Sequence, residues 1–297
     1  MRIVTRADLD GLTSAVLITT MEHVETIELC HPQDVTDKRI EITENDVLAN
    51  LPYHPRCAKW FDHHELTDSN ERPPEKFDGR WALAPSAARV VFDYYKSPKL
   101  DPYKELLEET DRLDSASLRL DDIVTPKGWI LLGYTIDSRT GLGAFKEYFM
   151  MLVDAIKKLT LEEILTLPDV KRRIDRYKKD NEQYMNLMHR TSRVDRNVIV
   201  TDLRNEEGSL PVGNRFLIYT LYPECNVSVR VHWGPERKFA VAAIGHNILN
   251  RTCKTNVGEL CARYGGGGHK GAGSAPLKAE TADRDIAAII ATLKTAG

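Results

Sequence analysis

An aspartate followed by two histidines, Asp62-His63-His64, closes a short apolar run in the stretch AKWFDHHELTD at 58–68. Imidazole nitrogens bind Mn, Fe or Zn, and a neighbouring carboxylate can orient a ring by accepting its other N–H. A second pair of carboxylates, Asp8 and Asp10 in TRADLDGLTSA, follows the strand-like run RIVT at 2–5. With a spacing of two, extended backbone would point both to one side, where they attract a hard or borderline divalent cation such as Mg²⁺ or Mn²⁺. Gly11 permits a tight turn, and Thr13-Ser14 can cap the next helix. Taken alone, DxDG also suits a simple turn and cap. Joined to DHH, it points to a metal centre. A third motif, GGGGHKGAGS at 265–274, lets successive backbone N–H groups of Gly266, Gly267 and Gly268 approach an anion, while His269 and Lys270 add donors and charge.

Around these residues, the first part of the chain alternates short apolar runs with helical patterns. The strand-like runs are 2–5, 26–30, 46–51 and 57–61, and a helical pattern covers 12–23. This reads as an α/β fold with a wound, mainly parallel sheet, in which a ligand lies beyond the carboxyl ends of the strands. Residues 85–95 and 101–117 are expected to be helical, with Leu106, Leu107 and Leu113 at helical spacing. The highly charged run 160–193 shows no long apolar stripe and reads as a helical connector. Strand patterns return at 197–203, 215–222, 226–233 and 238–245, before a helix-like NVGELCARY and the glycine motif. The expected organisation is therefore a first domain over 1–160, a connector over 161–195 and a smaller α/β domain over 196–297.

The 297 residues, 42% hydrophobic and 29% charged, suit two globular domains. A net charge of -3 argues against non-specific adhesion to nucleic acid or anionic membrane. Residues 196–297 hold 13 Lys and Arg against 9 Asp and Glu, a mildly basic balance that suits an anionic ligand. The apolar run at 130–134 is far too short to span a bilayer. The five cysteines form no CxxC pair, and with no secretory leader they are expected as reduced thiols of a cytoplasmic protein. Scattered aromatics offer no stacking platform for sequence-specific DNA binding.

With DxD, DHH and GGGGHKGAG in order along nearly the whole chain, the sequence resembles the DHH phosphoesterases, and among them the exopolyphosphatase-related group. Relatives of this kind include manganese pyrophosphatases, exopolyphosphatases, nanoRNases, cyclic-dinucleotide phosphodiesterases and single-strand-specific exonucleases. The resemblance implies a DHH domain and a C-terminal DHH-associated domain whose GGGH turn faces the metal cleft and contacts the substrate phosphate. It implies catalytic roles for Asp8, Asp10, Asp62, His63 and His64, and metal ligands among Asp8, Asp10, His63 and a later carboxylate. Asp111 in ETDRLDSA is preferred for the last ligand, with Asp114 or Asp137 as alternatives.

Two positions depart from the family pattern. A histidine or aspartate expected two residues before DxD is Arg6, and a bridging aspartate expected after the strand preceding DHH is Asn50. One positive charge is added and one negative charge removed, together the charge of one divalent cation. Arg6 is therefore expected to salt-bridge Asp8 and contact a phosphate oxygen with His64, leaving one metal, or two if the family pattern holds. The expected activity is metal-dependent hydrolysis of a phosphodiester or phosphoanhydride in a small nucleotide, short oligonucleotide or polyphosphate, with Mn²⁺ preferred over Mg²⁺. Nucleic-acid binding is thus expected only as engagement of a short strand, and homodimerisation is left open. The alternative is a catalytically silent nucleotide- or phosphate-binding module of the same fold, favoured by Arg6 and Asn50.

Overall fold

The computed structural model describes residues 1–66, 72–136, 146–208, 210–211 and 213–295. Asp137 lies outside the described residues. The chain divides into two compact units, one formed by Met1–Ser117 with Pro126–Asp175 and the other by Leu118–Thr125 with Arg176–Gly297. The division falls at 175/176, inside one long helix, whereas the sequence reading places the ends of a connector at 160 and 195.

The first unit contains strands β1 (Arg2–Thr5), β2 (Thr26–Leu29), β3 (Asp46–Ala49), β4 (Lys59–Asp62) and β5 (Gly79–Trp81) in the order β2-β1-β3-β4-β5, every pair parallel. Its helices are α1 (Leu9–Met21), α2 (Pro32–Thr36), α3 (Ala87–Tyr95), α4 (Lys104–Asp114), α6 (Gly128–Tyr134), α7 (Lys146–Ile156) and α8 (Leu161–Thr166), with α5 (Leu120–Val124) falling in the segment grouped with the second unit. A parallel sheet is covered on both faces, so its strands need apolar residues at successive positions. Ile3, Val47, Ala49 and Phe61 pack with α1, α3 and α7 on one face. Their neighbours Val4, Leu48 and Trp60 pack with Val35, Ile42 and Leu51 on the other. Trp60 also donates its indole N–H to the Leu51 carbonyl at 2.8 Å, satisfying the one polar atom of a fully buried ring.

The long helix α9 (Pro168–Thr191) covers most of the expected connector, and it does carry apolar stripes. Val170 and Ile174, four apart, are buried in the core of the first unit. Tyr184, Leu187 and Met188 are buried further along, at the three- and four-residue spacing of one helix face. Two short stripes separated by charged residues escape a search for one long stripe.

In the second unit, β6 (Ser192–Asp195), β7 (Val198–Asp202), β8 (Val227–Trp233), β9 (Phe239–His246), β10 (Gly267–His269) and β11 (Ala272–Lys278) form a mixed sheet ordered β10-β11-β9-β8-β7-β6. The β7–β8 pair is parallel and the other pairs are antiparallel. Burial alternates along β8 and β9, so one face carries the core. Val227, Val229, Val231, Ala240, Ala242 and Ile244 pack there with α11 (Val257–Ala262) and α12 (Ala282–Lys294).

The run 215–222, expected as a strand, instead holds the short helix α10 (Ile218–Leu221). Asn214 begins the turn by accepting the Phe216 N–H at 3.0 Å, and the N–H groups of Leu217, Tyr219 and Thr220 bond three residues back. Period alone cannot separate a short, mostly apolar run into strand or helix. All five cysteines are free thiols, and no described helix is long and apolar enough to cross a membrane.

Candidate metal centre and phosphate-contact residues

The residues expected to do chemistry follow the carboxyl ends of three adjacent strands: Arg6, Asp8 and Asp10 after β1, Asn50 after β3, and His63 and His64 after β4, whose last residue is Asp62. The two aspartates of DxD do not project as a pair from extended backbone. Asp8 is extended and caps α1, accepting the Gly11 N–H at 2.9 Å, whereas Asp10 already lies in the first turn of the helix. Gly11 is required at the bend, because a Cβ there would stand 2.1 Å from the Arg6 carbonyl oxygen. Thr13 and Ser14, expected as caps, lie inside α1, where Thr13 shares a 2.7 Å hydrogen bond with Thr110 of α4.

Asp8 is occupied by donors from its own chain. Arg6 Nε stands 3.1 Å from Oδ2, and Asn50 Nδ2 donates to Oδ1 at 3.1 Å. The Asp8 charge, partly offset by burial, raises the Arg6 guanidinium's pKa still further. Asn50 sits at φ 58°, fully buried, with its side-chain oxygen unpartnered. Thus the salt bridge expected of Arg6 is present, and Asn50 turns its amide donor toward the same carboxylate.

Asp10 is held by a different helix. Its oxygens accept the backbone N–H groups of Ala88 at 2.7 Å and Ala87 at 2.9 Å, the first residues of α3. Burial, together with the charges of Asp114 and Asp8, raises its pKa well above the usual carboxylate value despite these two donors. His63 Nδ1 is 3.0 Å from the Ala84 carbonyl, which can only accept, so Nδ1 carries the hydrogen and Nε2 of the neutral ring presents a lone pair. Burial first, and His64 next, lower the His63 pKa and favour that neutral form. Nε2 points into a buried space 3.2 Å from Asp114 Oδ2 and 3.7 Å from Asp10 Oδ2, with no hydrogen bond of its own.

A lone pair set against two carboxylates is repulsive, and a divalent cation among them would offset that repulsion and give His63 Nε2 a partner. One imidazole and two carboxylates match the donor chemistry of Mn²⁺, Mg²⁺ or Zn²⁺ sites. Among the described residues, two groups bring candidate ligand atoms within 4.8 Å of one another: Asp10, His63 and Asp114, and Asp62, His63 and His64. His64 donates Nδ1–H to Asp62 at 2.8 Å and lies beside His63, with ring centroids 4.2 Å apart and the planes tilted by 57°. Burial opposes its charged form, but the Asp62 hydrogen bond and charge outweigh that effect and raise the His64 pKa. Trp81 steadies this turn by donating its indole N–H to the His64 carbonyl at 2.9 Å.

Of the carboxylates expected to supply the last ligand, the structure places Asp114, not Asp111, beside His63. Asp111 points away from His63: Arg89 donates Nε and Nη2 to its Oδ2 at 2.9 and 2.5 Å, and Ser86 donates to its Oδ1 at 2.6 Å. Asp114, three residues later on α4, is the carboxylate beside His63. Asp8 belongs to neither group of candidate ligands. Arg89 and Ser86 were not singled out from the sequence; only the Ser-Ala-Ala start of a helix hinted at an N-cap, which Ser86 provides by accepting the Arg89 N–H at 3.0 Å.

In the second unit, Gly267–His269 is not a free turn but strand β10, at the edge of the sheet and paired with β11. Gly267, Gly268, His269 and Lys270 are exposed, and an edge strand leaves alternate N–H groups unpaired. Gly268 has φ 152°, and a Cβ there would meet the Ala272 carbonyl oxygen at 2.3 Å.

A parallel α/β unit with paired carboxylate motifs and a DHH triplet beyond its strands, followed by a mixed-sheet unit with an exposed GGGH segment, is the architecture of a two-domain phosphoesterase. No protein-family model matches the chain, and no curated protein matches it. Among solved structures, it is similar to a pGpG-specific phosphodiesterase, PggH, from Vibrio cholerae, at 39% identity over 100% of this chain and 99% of that one, with a TM-score of 0.85. A DHH-domain protein described as a member of the S1p family of ribosomal proteins is 14% identical, with 99% and 86% of the chains covered and a TM-score of 0.60. Exonuclease RecJ bound to manganese is also 14% identical, with 98% and 90% covered and a TM-score of 0.51; these two share the fold. The chain belongs to the DHH family of phosphoesterases.

Proposed function

We propose that this phosphoesterase is a divalent-cation-dependent phosphodiesterase acting on a short 5′-phosphorylated dinucleotide of the pGpG class. The observation that carries the cation is the buried, unpartnered Nε2 of His63 facing Asp10 and Asp114. The full-length similarity to a pGpG-specific phosphodiesterase supports the substrate class. Asp10, His63 and Asp114 would hold the ion. A bound divalent cation would polarise a phosphoryl oxygen and lower the pKa of a nearby water.

The chain's own groups divide the remaining work. With Nδ1 committed to Asp62, His64 offers Nε2 to a phosphoryl or departing oxygen. Arg6 keeps Nε on Asp8 and, 35% exposed, offers its other N–H groups to the phosphate. One cation rather than two is our reading, because Asp8 is already taken by Arg6, Asn50 and the Gly11 amide. Gly266, Gly267 and Gly268, with His269 and Lys270, are assigned to phosphate contact, with Gly267 to Lys270 supplying an exposed edge and a positive charge, while Gly266 gives its own N–H to the Cys261 carbonyl at 3.0 Å and serves only to let the ligand approach.

The test is Mn²⁺ titration of the chelator-treated protein, with turnover of pGpG compared with longer oligonucleotides and polyphosphate. One Mn²⁺ per chain and preferential cleavage of the dinucleotide are expected. Two ions per chain would refute the single-cation reading, and preferential cleavage of polyphosphate would refute the dinucleotide reading.

A further inference from the structure

Resting on the cation reading above, we propose that Asp111 and Arg89 are positioning residues that set the separation of the two carboxylates holding the ion. Asp10 and Asp114 come to the site from different supports. Asp114 is carried directly by α4, while Asp10 is gripped by the first two N–H groups of α3. The opening between the carboxylates therefore depends on how α3 is fixed to α4.

Asp111 supplies that connection. It lies one turn before Asp114 on α4, and both its oxygens engage the first turn of α3: Oδ2 takes the Arg89 fork at 2.9 and 2.5 Å, and Oδ1 takes the Ser86 hydroxyl at 2.6 Å. Ser86 Oγ in turn accepts the Arg89 N–H, and the next residues are Ala87 and Ala88, which hold Asp10. A planar two-bond fork fixes orientation as well as distance, which a lysine at position 89 cannot do. The helix N-terminus also favours the negative charge of Asp10. Asp111 thus acts on the ion only through α3 and Asp10, which explains an acidic residue near the site that does not face His63.

The experiment is titration of the chelator-treated full chain with Mn²⁺, and with Ca²⁺ in competition, for wild type, Asp111→Asn, Arg89→Lys and Asp114→Asn. Asp111→Asn and Arg89→Lys should keep the wild-type number of Mn²⁺ per chain, weaken Mn²⁺ binding by about 10- to 100-fold and narrow the preference over the larger Ca²⁺. Their kcat should fall with little change in KM. Asp114→Asn should lose the ion. If Asp111→Asn loses the ion as Asp114→Asn does, Asp111 is a ligand and the proposal is overturned. Unchanged affinity and Mn²⁺/Ca²⁺ preference in both clamp variants would also overturn it. Should Asp111→Asn not fold, Ser86→Ala, which leaves the Arg89–Asp111 pair intact, must show a smaller loss of Mn²⁺ affinity in the same direction, and no loss would overturn the proposal. A wild-type chain that binds no Mn²⁺ would sink the cation reading and the proposal together, whereas normal wild-type binding with unaffected clamp variants would sink the proposal alone.

Discussion

The two sheets solve different problems with similar amounts of apolar sequence. In the first unit β3 is buried at all four positions, and the polar groups are pushed to the strand ends, where they are held in networks of charged and backbone partners. In the second, β8 and β9 alternate buried and partly exposed residues, and the glycine motif lies on an exposed edge with little side chain at all. Fixed carboxylates need the rigid, doubly covered sheet, because repelling charges stay close only when their supports cannot yield. Backbone N–H groups need only an open edge and residues small enough to let a ligand approach.

The sharpest way to break this contrast is to disable each unit's polar group and compare kinetics. Asp114→Asn is expected to lower kcat by at least about 10³-fold, and chelation should do the same to the wild type. His269→Ala should instead raise KM, by about tenfold, with a smaller change in kcat. Equal losses of kcat from both variants would erase the distinction.

Core substitutions should separate the sheets next. Trp60→Ala removes a fully buried ring of the first unit and should cost about 3–5 kcal/mol of unfolding free energy, against about 0.5–1.5 kcal/mol for Ile244→Val in the second. Denaturant unfolding checks both values. Within the glycine motif, Gly268→Ala should lower the melting temperature because its Cβ meets the Ala272 carbonyl, whereas Gly267→Ala, with nothing within 4 Å, should leave it unchanged.

The smallest effect concerns pH. Asp46, on β3, is bound by Arg2 at 2.8 and 2.6 Å and by the Thr43 N–H at 2.7 Å. Burial alone would raise its pKa, but these hydrogen bonds and the Arg2 charge outweigh it and leave the carboxyl below its ordinary 3.8. A depressed folded-state pKa contributes stability that is present above the unfolded value and lost as pH falls through the folded one. Wild type should therefore lose stability more steeply than Asp46→Asn below about pH 4. Parallel acid-unfolding curves for the two proteins would show that Asp46 adds nothing.

Much of the first unit is legible along the chain. The runs at 2–5, 26–30 and 46–51 become β1, β2 and β3, and 57–61 becomes β4 shifted to include Asp62. Strands β5 and β6 were missed, being only three residues long in one case and polar, with the pattern SRVD, in the other. Helix α12 was also missed, although Ile286, Ile289, Ile290 and Leu293 recur at helical spacing on its buried face.

Residue type and order determined that DxD and DHH fall at strand tips and that the chain resembles a phosphoesterase, because strand tips leave marks in local sequence, whereas the folding of GGH into edge strand β10 left none. Only the tertiary structure shows which of Asp111 and Asp114 stands beside His63. The two lie three apart on one helix and are chemically identical, so nothing local distinguishes them. The choice is made by Arg89 and Ser86, more than twenty residues away along the chain, which claim the first carboxylate and leave the second beside His63.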